Sequence, residues 1–221
     1  MKIVKLNILL LLSLFSISTW GAERVRSLFV EMPSELLPLL TTSDRLDFLD
    51  YSDAGMEAVV RNRLGGETKM LRCTDSMITL ALTPSTQWDM KLFSKGRGLI
   101  ALVTTYTIES HKDSYIQFYD TLWRTIDIEQ IIDRPTALDF VKPRYRVYAS
   151  RSMDRSIMYN MVSVIVKEQS DIIEFRVSKF PPMVDEESDA MIEKRIWRTS
   201  LLRYRWNGRR FKRCIINKAD E

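Results

Sequence analysis

Trp88, Met90 and Leu92 alternate with Gln87, Asp89 and Lys91 in TQWDMKLF, the period-two pattern of a strand with one face turned inward. Short runs of similar texture precede it (TKMLRC and MITLAL) and follow it (GLIALVTTYTIES and DSYIQFYD). All are bounded by turn residues, so the pattern predicts an antiparallel meander from Glu67 onward, with a hairpin around His111, Lys112 and Asp113. Ahead of the strands the texture is helical, from Met32 to about Arg63. Pro33 and Ser34 open a short piece broken by Pro38, and Ser43 caps a second helix that ends near Gly55. Residues 121–157 are irregular, with Pro135, Pro143 and short helices at DIEQII and TALDFV. Strands return in MYNMVSVIVKEQSDIIEFRVSKF, a hairpin turning at Gln169–Ser170 and stopped by Pro181 and Pro182. DEESDAMIEKRIW predicts a helix whose acids precede its bases, the order the helix dipole favours. In the closing LLRYRWNGRRFKRC, Asn207–Gly208 predicts a two-residue type I′ turn, because both positions need positive φ. N-terminal helices followed by antiparallel meandering sheet, with a C-terminal β-hairpin, make the expected class α+β.

Residues 1–22 stand outside this scheme. Lys2 and Lys5 precede an almost unbroken apolar run from Leu6 to Ile17, and small and polar residues follow in SISTWGAE. That is the pattern of a secretory signal peptide cleaved near Gly21 or Ala22. The run is shorter than the roughly 20 residues of a membrane span. No transmembrane segment is expected after signal removal, and no cysteine near the cleavage point supports a lipoprotein anchor. The expected location is exported, periplasmic or extracellular. Residues 23–221 are long enough for one α+β domain with its own core, or two packed halves at 23–125 and 126–221.

Export changes the charge picture. The whole chain is formally +4, but the leader holds two lysines and no acid, leaving +2 for the rest. That balance, in an exported protein, argues against nucleic acid as a partner. Cys73 and Cys214 form a candidate disulfide in an oxidising compartment; closing so long a loop contributes about 4–5 kcal/mol in the chain-entropy model. The alternative is two unrelated thiols, and the spacing excludes a CxxC motif or a zinc knuckle.

SDRLDFLDYSD places Asp44, Asp47, Asp50 and Asp53 at every third position. On a helix that spacing walks the carboxylates around the cylinder instead of converging them, with Leu46, Phe48, Leu49 and Tyr51 filling the remaining arc. Asp44 then sits in the first turn and Asp47 and Asp50 form the wet face, so no metal site is expected there. The surrounding MPSELLPLL segment, the DRLDFLDYSDAGMEAVV segment and the LGG that ends it resemble the opening of a family of small secreted proteins from Bacteroides-type bacteria, a domain of unknown function. LRYRWNGRRF is similar to that family's close. The resemblance implies an exported bacterial-envelope protein and brings no catalytic residue with it.

His111 is the only histidine, so Ser–His–Asp or Cys–His catalysis would have to run through one predicted turn residue. No P-loop, GxGxxG, HExxH or GxSxG string occurs, and no cofactor is expected. Two carboxylates from distant positions can serve a glycosidase, which composition does not exclude. The acidic run Asp185, Glu186, Glu187 and Asp189 reads as a helix N-terminus.

One feature resists a purely structural reading. Ten basic residues and no acid lie between Lys194 and Ala219, so the rest of the mature chain carries −8. With a two-residue turn, Arg205 faces Arg210 and Arg203 faces Lys212, a square of like charge on one side of the hairpin. Such pairs are destabilising unless acids compensate. Those acids come either from elsewhere in the chain or from an anionic envelope component or acidic protein bound by Arg203, Arg205, Arg210 and Lys212. The expectation is an exported, non-enzymatic envelope protein acting as a binding or structural module. Its rivals are a carboxylate-dependent hydrolase acting on envelope glycan and a subunit that docks a protein through its basic face.

Overall fold

The computed structural model describes residues 19–147, 161–178 and 197–214. Two helices come first, α1 (Thr19–Glu31) and α2 (Thr42–Asp53). Seven strands then form an antiparallel sheet in sequence order: β1 (Val59–Arg61), β2 (Glu67–Cys73), β3 (Met77–Thr83), β4 (Thr86–Phe93), β5 (Leu99–Ile108), β6 (His111–Tyr119) and β7 (Thr125–Ile126). After the short α3 (Ile128–Ile131) comes a four-stranded antiparallel sheet of β8 (Met161–Val166), β9 (Ile172–Ser178), β10 (Leu201–Trp206) and β11 (Phe211–Cys214). The expected α+β class and its meander are present.

Side-chain alternation on the large sheet builds three layers. Leu80, Trp88, Met90, Ile100 and Leu102 are buried against Phe29 and Phe48 of the helices. Phe93, Ala101, Val103 and Phe118 turn the other way and pack on Val164, Phe175, Trp206 and Phe211 of the small sheet. Phe93 meets Phe211 edge-on, with ring centroids 5.1 Å apart. This second core joins strands from both sides of residue 125, so the two halves share apolar packing.

Thr41, not Ser43, caps α2: its hydroxyl accepts from the Asp44 amide (3.1 Å), while the Asp44 carboxylate accepts from the Thr41 amide (2.6 Å). Leu46 is exposed and Arg45 is buried at 1% exposure, the reverse of the expected apolar arc. The reason is a capping role: Arg45 Nη1 donates to the carbonyls of Phe29 and Met32 at the end of α1.

Three further expectations change. The helical region stops at Asp53, and Val59–Arg61 pairs with β2 as a strand. Helical structure is already present at Thr19–Glu31, well before Met32, because Val25, Leu28 and Phe29 bury one face against the sheet. The β5–β6 turn is Glu109–Ser110, since Ile108 pairs with His111, which therefore belongs to β6. Residues 1–18 of the expected leader and most of the DEESDAMIEKRIW segment lie outside the described residues. No helix among the described residues is long and apolar enough to cross a membrane.

Candidate functional site

Among the described residues, the small sheet packs on one face of the large one. Its edge strand β8 crosses the face of β4–β6 and is fastened at both ends. Val162 and Val164 donate their amides to Asp113 Oδ1 (3.3 Å) and Ser114 Oγ (2.9 Å) of β6. At the far end Lys91 Nζ of β4 donates to Glu168 O in the β8–β9 turn and to Ser76 Oγ (2.8 Å), which itself donates to Glu168 O (2.9 Å). Burial lowers the Lys91 ammonium pKa, opposed by the nearby Asp171 and Glu168 carboxylates.

Beside β8, on the face of the large sheet, lies a cleft of about 540 Å³. Its floor carries Thr79, Gln87, Asp89 and Thr105, and one wall is the consecutive β8 stretch Ser163 to Val166. Alternation sends neighbouring side chains to opposite faces, so four consecutive lining residues mean that β8 presents its edge to the cleft. Arg72, Lys112 and Arg176 are exposed around the mouth. A β-bulge puts Arg72 there. Met70 pairs with Leu80 on the helix side, but the register shift makes Arg72, rather than Leu71, the partner of Thr79. One extra residue has thus turned a guanidinium from the helix side to the cleft side.

Asp89 is the only carboxylate among the described lining residues, and it is 4% exposed. Oδ1 accepts from Thr79 Oγ1 (2.7 Å) and Oδ2 from Gln87 Nε2 (2.8 Å). Burial raises its pKa above the usual aspartate value, outweighing those two bonds and the more distant Arg72 charge. Thr79 and Gln87 fill two of its acceptor positions, with lone pairs left for a ligand. Beside it the Thr105 and Ser114 hydroxyls are bonded to each other at 2.8 Å.

The hairpin residues singled out by sequence do not form the expected square. Trp206 pairs with Phe211, Arg205 with Lys212 and Arg203 with Cys214, so the connection spans four residues, Asn207 to Arg210. Asn207 Oδ1 accepts from the amides of Arg209 and Arg210, both at 2.9 Å, and folds the loop locally. Tertiary contact fixes the rest. Trp206 Nε1 donates to Lys95 O (3.0 Å), and a Cβ on Gly96 would meet Gly208 O at 2.4 Å. The wider loop also leaves Trp206 and Phe211 side by side over Phe93. Arg203 Nε donates to Glu174 Oε1 (2.8 Å) on β9, and Arg210 Nη2 to Asp133 Oδ1 (2.9 Å). Arg205 and Lys212 remain as an exposed cross-strand pair.

The candidate disulfide is not formed: Cys73 and Cys214 are both free thiols. Cys73 packs into the helix-side core, whereas Cys214 ends β11 and donates to Arg203 O (3.5 Å), so the large sheet lies between them. The four aspartates of α2 stay apart in role, with Asp44 capping and Asp53 pairing with Arg26.

Sequence reading missed the cleft because Asp89 and Lys91 alternate with large apolar residues and look solvated. The available signal was the next residue on their side, Phe93: a strand whose polar face ends in a buried aromatic is covered on both sides.

Among solved structures, the chain is similar to a domain of an uncharacterized protein from Porphyromonas gingivalis W83. The TM-score is 0.72 at 23% identity, over 87% of this chain and 98% of that one, a likeness of fold. No curated protein matches. The family model described as "Protein of unknown function (DUF3256)" matches residues 17–211, and the chain belongs to that family.

Proposed function

We propose that this chain is an exported, non-catalytic binding module of the bacterial envelope, and that its ligand seats in the cleft over Asp89. The observation that carries this reading is a cleft of ligand size floored by one buried carboxylate that has neutral hydrogen-bond donors and no salt bridge to a described residue. Glycosidases use two carboxyl groups about 5–10 Å apart, and Asp89 has no second acid beside it among the described lining residues. The apolar leader pattern supports export. The hairpin cations are the weaker site, because Arg203 and Arg210 already have internal acids as partners.

Three immobilised baits, exposed to detergent-solubilised envelope from the chain's own source, test this. One is the full chain, one carries Asp89→Asn, and one carries Arg205→Glu with Lys212→Glu. The expected result is capture by the first and third baits, loss by the second, and no growth of reducing ends over time. Turnover abolished by Asp89→Asn would establish the hydrolase instead. Equal capture by the first two baits, with loss by the third, would return the site to the hairpin.

A further inference from the structure

Resting on the binding reading above, we infer that the ligand is an anionic saccharide. Its hydroxyl groups bond to Asp89, Gln87 and Thr105 on the cleft floor, and its carboxylate or phosphate bonds to Arg72, Lys112 and Arg176 at the mouth.

Three features select this class. First, the mouth carries three exposed cations that form no ion pair with a described residue, against one acid on the floor. That balance attracts an anion and repels an amine, so Asp89 is not a receptor for a cationic group. Guanidinium forks suit the planar oxygens of carboxylate or phosphate.

Second, the floor is a set of side-chain hydrogen-bonding groups, Thr79, Asp89 and Thr105 buried and Gln87 exposed. A carboxylate offers about four lone-pair positions, of which Thr79 and Gln87 occupy two. The remaining ones accept from hydroxyls, the donors a sugar has in excess. Leu71 and Met77 line the same cleft and supply apolar contact for the C–H face of a pyranose ring. At about 540 Å³ the volume falls within the roughly 300–1,000 Å³ of small-molecule sites.

Third, the competing occupant, an acidic peptide added as a strand along β8, meets an edge with two of its amides already committed. The outward amides of Val162 and Val164 are already given to Asp113 and Ser114. An added strand would have to break both bonds before forming its own ladder. Recognition therefore falls to side chains and not to backbone.

Calorimetric titration of the full chain at low salt tests the class with four defined probes. Tetragalacturonate carries the charge as carboxylate, glucose 6-phosphate carries it as phosphate, maltotetraose is an uncharged sugar, and tetraglutamate is an anion without sugar. One of the two anionic sugars should bind at least about tenfold more tightly than maltotetraose and tetraglutamate, the effect of one charge-assisted hydrogen bond. Which one binds tells carboxylate from phosphate. Arg176→Ala and Lys112→Ala, both at exposed positions that leave the fold intact, should each weaken it several-fold and flatten its salt dependence. Tetraglutamate or maltotetraose binding as well as the anionic sugars would overturn the inference. So would silence from all four probes. In that case, Asp89-dependent capture from envelope would keep the binding reading and discard only the ligand class; loss of that capture as well would end both.

Discussion

Two buried carboxylates, Asp89 in the cleft and Glu174 on the outer face of the small sheet, have opposite fates. Their exposures are nearly equal, 4% and 5%. Burial pushes both pKa values up, and at Asp89 that push prevails over the bonds from Thr79 and Gln87. At Glu174 the hydrogen bonds and charges of Lys167 and Arg203 together outweigh burial and hold the carboxyl below its usual range. The lesson is that burial alone does not mark a functional acid. Two things separate them: Asp89 lies deeper in the protein, and its hydrogen-bond donors are neutral where those of Glu174 are cations.

The comparison breaks most sharply at Glu174. Replacing it by Gln removes the carboxylate that Lys167 and Arg203 share. The expected loss is about 1.5 kcal/mol in urea unfolding at pH 7, the scale of one charge-assisted hydrogen bond. A loss under about 0.5 kcal/mol would reduce the tie to an ordinary surface pair.

Acid titration of stability sharpens the same contrast. A depressed carboxyl pKa stabilises the fold fully above the unfolded-state value of about 4.3, and that contribution disappears as pH falls through the folded value. The native chain should therefore lose stability below about pH 4. Glu174→Gln should lack that part of the loss.

Asp89 runs the other way. Its raised pKa makes ionisation a cost to folding that is absent below about pH 3.9, grows as pH rises through the folded value, and persists above it. Asp89→Asn should raise the urea midpoint at pH 7, and the difference should vanish near pH 3. An unstable Asp89→Asn at pH 7 would make Asp89 a second structural tie.

The smallest expected effect concerns the thiols. A reductant should leave the thermal midpoint unchanged, because Cys73 and Cys214 are separate and free. A bridge between them would instead contribute about 4–5 kcal/mol in the chain-entropy model, a difference that a melting scan reads easily.

Much of the fold was legible in the chain itself. Period-two alternation and turn residues placed the strands from Glu67 to Tyr119 in order, because adjacent antiparallel strands need only local turns to pair. Gly55, at φ +65°, marked the end of α2 for the same local reason. The errors came where distant contacts outvoted local preference. Asn207–Gly208 favours a tight turn, yet packing of Gly208 on Gly96 and of Trp206 and Phe211 on Phe93 imposes a wider loop. Arg203 meets Glu174 through the β9–β10 register and Arg210 reaches Asp133 from the loop, so the basic square that local register implies does not form.

The cleft belongs wholly to tertiary structure. Its floor comes from β3, β4 and β5, its mouth from a bulge in β2 and from β6 and β9, and its wall from β8, so no short window of sequence contains it. By itself the sequence determined class, strand order, the leader pattern and the chemistries for which residues are missing, since all of these follow from composition and local periodicity. Which polar side chains are buried together, and which cations keep a carboxylate beside them, was decided only when the two sheets packed. Pairing and burial depend on distance in space, which the spacing of residues along a chain does not carry.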